Sequence, residues 1–380
     1  MPDNKRQHFV PQFYLRNFAD DPERRSIRLF VLRRGLMMPQ ASIKGQCHRN
    51  FYYGADGRLE AAMGELEGEA AKIFRAIIDN HQAPRPMIQD HRTLVDFVAS
   101  LLGRTEAAES ELNQTVDAFG RQILARARPD LAEDLDKVTI GWSNAVIVAL
   151  SHALAMSPVL WDLHFRVLTA AKEMTFITSD NPVVLFNQTF DPLHETMTRG
   201  LASAGLQIYF PVSPRHAILF YDPNWYRPGR GRDGFVPVYP IDIKQLNALQ
   251  IGNAREHLYW SGAGMDGEVA RLHALHAASR PQRAAEVRAE RMDRPDGHRG
   301  ELLTLIKPRP NLVTKLDVLN NRTVPQGPVS SVRAPEWTNI VRLFVYEVEQ
   351  GRRDAASIFE FVSAHPLANV ALSRFIPDRR

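Results

Sequence analysis

His8-Phe9-Val10-Pro11-Gln12-Phe13-Tyr14-Leu15-Arg16-Asn17-Phe18 places a histidine, four aromatic residues and an arginine in eleven positions near the start of the chain. Proline fits the first position of a helix, because the N–H it lacks is one the helix leaves unpaired anyway. A helix over Pro11–Phe18 therefore sets Tyr14 and Phe18 one turn apart on one face, with Leu15 beside them and Arg16 turned away. His8 then stands just outside the helix start, near its positive end. A basic terminus this apolar must bury itself against the rest of the chain, and that requirement constrains the fold around it.

Outward from that segment, Ser26–Leu32 alternates as a strand and Arg33-Arg34-Gly35 turns the chain. Residues 42–53 are irregular. Lys44, His48 and Arg49 there precede Phe51-Tyr52-Tyr53, a mixture that suits base stacking and equally suits a loop packed on a core. From Leu59 to Ile78 the apolar residues Met63, Leu66, Ala70, Ile73, Phe74 and Ile77 recur at helical spacing. Further helices are expected over Gln89–Leu102, Glu106–Ala127, Ile140–Met156 and Val159–Ala171, so that residues 59–172 read as a helical block. Thr175–Thr178 and Val183–Phe186 are β-prone around the turn Ser179-Asp180-Asn181-Pro182. Leu206–Val212 and His216–Tyr221 form a hairpin, and Pro223–Pro240 reads as an exposed loop. Asp242 is expected to cap a helix reaching Tyr259, and Glu268–Ala278 to form another. The tail suggests an arginine-rich stretch at Arg280–Arg299, a strand at Val341–Val348 and a helix at Ala355–Ser363. The fold class is α+β: a helical block, a mixed and mainly antiparallel sheet at 174–221, and a basic C-terminal extension. The core domain spans 1–261 and the extension 262–380.

With 380 residues, 44% hydrophobic and 24% charged, the chain can bury a substantial core. Only eight of its 47 basic residues are lysine, and arginine's planar fork favours carboxylates and phosphates. Such a surface leans toward anionic partners, although arginine in place of lysine also follows from base composition alone. The single cysteine, Cys47, excludes an intrachain disulfide and a zinc–thiolate cluster. With no secretory signal and no run of the roughly 20 apolar residues that span a bilayer, a cytoplasmic location without membrane contact is expected.

The familiar catalytic motifs are missing: there is no Gly-x-Ser-x-Gly elbow, no phosphate loop and no His-Glu-x-x-His. Glu65 and Glu69, one turn apart, could hold a divalent ion such as magnesium or manganese, or could simply form a solvated helix face. His273 and His276 offer a pair with the same ambiguity. Asp180 sits where a strand meets a tight turn, a common position for catalytic groups. Ser179 beside it can fix its carboxylate, and an Asx turn accounts for the same pattern.

The opening His8-x-x-Pro11-Gln12-x-Tyr14-Leu15-Arg16-Asn17-Phe18 resembles the signature of a bacterial family known only as domain of unknown function four-two-three-eight. Phe176–Pro182, Phe210-Pro211-Val212-Ser213-Pro214, and Asn247 with Asn253-Ala254 resemble its later blocks in order, and Arg104-Thr105 a further one. Val212 stands where leucine is expected. The resemblance covers residues 7–261 and implies no particular activity.

If these blocks meet in space, His8, Arg104, Ser179 and Asp180 converge, with a glutamate of the 65–69 turn nearby. That set provides an acid/base group, an anion clamp and carboxylates, which suit phosphodiester hydrolysis. It also suits a buried polar network with no catalytic role. The leading expectation is a nucleic-acid-processing hydrolase, a nuclease used against foreign DNA or RNA. The catalytic set would be His8 as acid/base, Asp180 as base or metal ligand, Ser179 beside it and Arg104 as phosphate clamp, with Glu65 or Glu69 a second metal ligand and Lys44, Arg49 and Tyr52 nucleic-acid contacts. The alternatives are a non-catalytic module binding nucleic acid or protein, and a hydrolase or transferase acting on a small anionic substrate.

Overall fold

A computed structural model describes residues 5–85, 88–131, 133–171, 174–192, 198–280, 285–293, 299–306, 310–321, 331–354 and 357–367. The chain opens with β1 (Arg6–His8) and a short helix α1 (Gln12–Leu15), extended by one 3-10 turn over Arg16–Phe18. Phe9, Val10, Tyr14, Leu15 and Phe18 are all buried. Fully burying each large side chain contributes on the order of 1.5–3 kcal/mol, which is why the segment lies inside the fold. The Tyr14 and Phe18 rings meet edge-on at 5.7 Å, as their spacing predicts.

Next come β2 (Ser26–Val31), β3 (Leu36–Ser42), β4 (His48–Asn50), α2 (Arg58–Asn80), α3 (Gln89–Arg104), α4 (Glu106–Ala127) and α5 (Ala145–Ala155). The middle of the chain supplies β5 (His164–Ala170), β6 (Thr178–Ser179), β7 (Val184–Phe186), β8 (Gln207–Pro211), β9 (His216–Tyr221), β10 (Tyr226–Pro228) and β11 (Phe235–Val238). Then follow α6 (Pro240–Asn253), β12 (His257–Trp260), α7 (Asp266–His276), β13 (Glu286–Asp293), β14 (Arg299–Ile306), β15 (Leu319–Asn321), α8 (Pro335–Glu349) and α9 (Ile358–Ala364). The protein is α+β.

Two sheets carry the fold. The larger has the order β11-β5-β9-β8-β7 and is antiparallel except where β11 joins β5. The smaller, β3-β2-β12-β6, draws β12 between strands from the front and middle of the chain. Both faces of the larger sheet are buried, and the two-residue period of its strands divides them. Phe165, Val167, Ile208, Phe210, Ile218 and Phe220 pack against α1, α2 and α3. Leu168, Ala170, Tyr209, Ala217, Leu219 and Tyr221 pack toward α6 and α7.

Several expectations are corrected. Val159–Ala171 contains β5 rather than a helix, because its side chains alternate between the two cores while it pairs with β9 and β11. The sheet therefore starts within the expected helical block. Pro223–Pro240 holds β10 and β11 and is not an open loop. The helix placed over Asp242–Tyr259 ends at Asn253, and β12 follows it. Asp242 does not cap its own helix; its carboxylate accepts the amides of Asp317 (2.7 Å) and Val318 (3.1 Å). Val341–Val348 lies in α8, where Trp337, Ile340, Val341, Phe344 and Val345 form a buried stripe at helical spacing. Within Arg280–Arg299, β13 pairs with β14 as a hairpin. The arginine content of residues 262–380 includes positions outside the described residues.

The region after residue 262 is tied to the core. Arg333 is 2% exposed; its Nε donates to both Asp162 oxygens (3.0 and 2.9 Å) and its other nitrogens donate to the carbonyls of Val159, Leu201 and Ser203. The Trp337 indole N–H donates to Pro158 O at 2.8 Å.

Candidate functional site

The turn after β6, which the sequence singled out, is held by hydrogen bonds on every side chain from Ser179 to Asn181. Asp180 is 5% exposed. Its Oδ1 accepts the Arg255 amide at 2.8 Å, and its Oδ2 accepts those of Glu256 (2.7 Å) and His257 (3.0 Å). Burial pushes its pKa up against the pull of these donors and of the His257 ring. Ser179 Oγ accepts from Gln250 Nε2 (2.6 Å) and from the Asn181 amide (3.1 Å). Asn253 Nδ2 donates to Asn181 O and Val183 O, and Asn247 holds Ile177 N and Thr175 O. Asn247, Gln250 and Asn253 are three residues apart on α6, so one edge of that helix grips the β6–β7 connection. These groups clamp backbone to backbone.

Arg104 is 1% exposed and donates from Nη1 to Glu67 Oε1 at 2.7 Å. Thr105, which caps α4 through Ala108 N, donates from Oγ1 to Asn181 Oδ1 at 3.3 Å. The expected meeting of Arg104-Thr105 with the 179–181 turn is thus present, made by the threonine. The acidic partner is Glu67 rather than Glu65 or Glu69. Those two are exposed, and Glu69 pairs with Lys72 at 2.5 Å. Glu67 was readable, because it follows Met63 by four residues and precedes Ala70 by three, on the buried stripe of α2. Among the described residues, no group of three or more His, Cys, Asp or Glu side chains is placed to hold a metal ion. His273 instead lies with its ring 4.8 Å from that of Phe30.

The front end does reach the middle of the chain. Tyr14 OH donates to Pro211 O (2.8 Å) and lies 2.6 Å from Thr178 Oγ1, while its ring stacks on Phe210 at 5.1 Å. Asn17 Nδ2 donates to Val212 O at 3.1 Å. His8 takes no part in that junction. It sits half-buried on β1 opposite His48 of β4, ring centroids 5.5 Å apart. Its Nε2 lies 3.4 Å from Lys44 O, an acceptor only, so Nε2 carries the proton and Nδ1 receives Gln12 Nε2 at 3.5 Å. Burial lowers the His8 pKa, and the charges of His48, Arg6 and Arg16 push it the same way. From His8 the bonded path to Asp180 runs through Phe9 N to Cys47 O, Cys47 Sγ to Tyr259 OH (3.3 Å), and β12 back to the His257 amide. His8 and Asp180 are therefore held by different partner sets.

The surface around His8 is cationic. Lys5, Arg6, Arg16 and Lys44 are exposed, and none forms an ion pair with a carboxylate among the described residues. Phe51, at the end of β4, is 43% exposed. The other two expected contacts, Arg49 and Tyr52, are engaged within the fold. Arg49 pairs with Glu106 and with Glu109 (2.8 Å) at the start of α4, and Tyr52 OH donates to Glu109 at 3.2 Å. Lys5 and Arg6 were missed as surface groups, whereas Phe51 was read among the aromatics beside Lys44, His48 and Arg49. The pairing of β1 with β4 that brings them together is not visible in either segment alone.

The molecule is thus an α+β protein with two principal sheets, whose N-terminal segment closes the core on one side and on the other presents a basic face whose cations make no ion pair among the described residues. The chain matches the family described as Protein of unknown function (DUF4238) over residues 6–262, and it belongs to that family. No curated protein and no solved structure matches it. Among the described residues no helix is long and apolar enough to cross a membrane.

Proposed function

We propose that the protein binds duplex nucleic acid through the N-terminal basic face, with phosphates at Lys5, Arg6, Arg16 and Lys44. The carrying observation is that four exposed cations gather around one half-buried histidine, and among the described residues none of the four is ion-paired to a carboxylate. Such a field favours a polyanion, whose binding releases condensed counterions. Arg49 and Tyr52 hold β4 to α4 in this reading and contact the ligand little.

Hydrolysis of the bound phosphodiester is the second reading. The observation favouring it is the lowered pKa of His8, which keeps a neutral imidazole amid those cations, able to accept a proton once Gln12 moves aside. In that reading Ser179, Asp180 and Arg104 maintain the scaffold, and any magnesium or manganese at Glu65 and Glu69 would sit on an exposed helix face.

The test is fluorescence anisotropy with a labelled DNA duplex across a salt series. Four phosphate contacts give a slope of log affinity on log salt near −3.6, a loss of about 150-fold between roughly 50 and 200 mM salt. Replacing Arg6, Arg16 and Lys44 together by Gln should reduce the slope to near −0.9 and the loss to about fourfold. A duplex that binds the triple variant with an unchanged slope would overturn the proposal. Cleavage of the probe by the wild type, lost in His8→Ala and sensitive or insensitive to chelator, decides the second reading and the metal together.

A further inference from the structure

The open end of the larger sheet carries a second candidate, independent of the basic face. A cavity of about 460 Å³ lies between β5, β10 and the turn leading into β11. His164 and Arg166, two residues apart on β5, are half-buried on the same face as Leu168 and Ala170. Arg227 of β10 stands across from them, and Tyr221, in register with His164, supplies an aromatic wall; the Phe235 ring turns to the other face of the sheet, toward His81 and His216. The Tyr221 ring meets that of His164 edge-on at 6.2 Å. Arg166 Nη1 uses one donor on Phe165 O at 2.9 Å, which leaves most of a five-donor guanidinium for a ligand. Among the described residues the lining includes no aspartate or glutamate.

The turn that borders this space runs very close to the sheet edge. A Cβ on Gly231 would lie 2.0 Å from Phe235 O, and Gly234 holds φ +85° where a Cβ would meet Ala83 at 2.7 Å. Glycine at both positions lets the chain lie flat against the sheet edge. The opposite wall is fastened by the region beyond the family match: β15 pairs with β10, and the Gly229 amide donates to Val318 O at 2.7 Å. Residues near 320 therefore serve to position Arg227.

Two guanidinium groups facing one space without a carboxylate select an anion, and arginine's fork fits phosphate oxygens in pairs. The volume is larger than a phosphate needs and falls in the range of small-ligand sites. The Tyr221 ring on the remaining wall suits a planar ring. From these features we propose that the cavity binds a nucleoside monophosphate, its phosphate between Arg166 and Arg227 and its base against Tyr221.

Isothermal titration of the full-length protein with each of the four ribonucleoside monophosphates tests this, with adenosine and inorganic phosphate as partial ligands. At least one monophosphate should bind, at least tenfold more tightly than either partial ligand. Arg166→Gln and Arg227→Gln should each weaken it at least tenfold, about 1.4 kcal/mol. Arg227 is exposed, so its variant keeps the fold, and duplex binding at the N-terminal face should not change. No binding by any of the four at millimolar concentration would overturn the proposal. Equal affinity for inorganic phosphate, or binding indifferent to both substitutions, would overturn it too.

Discussion

Replacing Asp180 separates a structural carboxylate from a catalytic one. Its two oxygens accept three backbone amides, one on Oδ1 and two on Oδ2. In Asp180→Asn the remaining oxygen can keep Glu256 and His257, but the new NH₂ then faces the Arg255 amide, donor against donor. One unsatisfied buried donor costs about 1–3 kcal/mol, so that range is expected for the asparagine variant. Asp180→Ala strips all three bonds. Three such penalties would sum to about 3–9 kcal/mol. Arg255 is exposed and Glu256 and His257 are only half-buried, so water can reach part of the exposed backbone. The alanine variant should therefore fall near 3–5 kcal/mol, about the cost of breaking a buried pair. Urea unfolding followed by circular dichroism at pH 7 measures both. Duplex binding, corrected for the folded fraction, should be unaffected in Asp180→Asn. An asparagine variant within about 0.5 kcal/mol of wild type that nonetheless lost binding or cleavage would refute the structural reading and restore Asp180 to the site.

Two further outcomes follow from buried charge. Arg333→Met removes one member of a desolvated ion pair, the guanidinium bonded to both Asp162 oxygens. It should destabilise by about 3–5 kcal/mol and open residues 331–354 to limited proteolysis; equal protease resistance would show that the latch holds nothing. His91 and His216 are held down at about 4, in both cases mainly by burial. Their folded pKa values lie below the unfolded value near 6.5, so the unfolded chain binds more protons between those limits. Stability should fall as pH drops from about 6.5 toward 4, by up to about 3 kcal/mol per histidine. Replacing both by phenylalanine should flatten that part of the curve in denaturant melts taken at pH 4.5, 5.5 and 7.

The parts of this fold legible in the sequence are those fixed by local period. The α2 stripe, the β8–β9 hairpin and the Tyr14–Phe18 pair all arise from contacts within a few residues. What escaped depends on partners far along the chain. β5 is as apolar as a core helix, and only its place between β9 and β11 settles its conformation. β12 continues a helical pattern past Asn253, but Asp180 collects the three amides at Arg255, Glu256 and His257 and turns the backbone out of the helix. The site divides in the same way. The order of the blocks implied that they would meet, and Tyr14 with Thr178, and Thr105 with Asn181, do so. That meeting revealed nothing about which side chains would have donors or charges left over.

That remainder is what points to function. A ligand drawn to Ser179, Asp180 or Asn253 must first displace protein hydrogen bonds already made there, and each intact bond contributes about 0.5–1.5 kcal/mol. A ligand at Lys5, Arg6 or Lys44 displaces water and counterions, and at Arg16 it competes with one exposed hydrogen bond, to Gln12 Oε1 at 3.3 Å. The signature residues of the family region are thus poorly placed to greet a partner and well placed to hold the N-terminal segment, α6 and the β6–β7 turn together. Their rigidity serves the surfaces they support: α1 fixes the strand that carries Arg6 and His8, and β9 fixes β5 with His164 and Arg166. The C-terminal region completes the second of these through β15. On this logic, substitutions in the signature should alter stability and ligand binding together, whereas substitutions of the unpaired cations should alter binding alone.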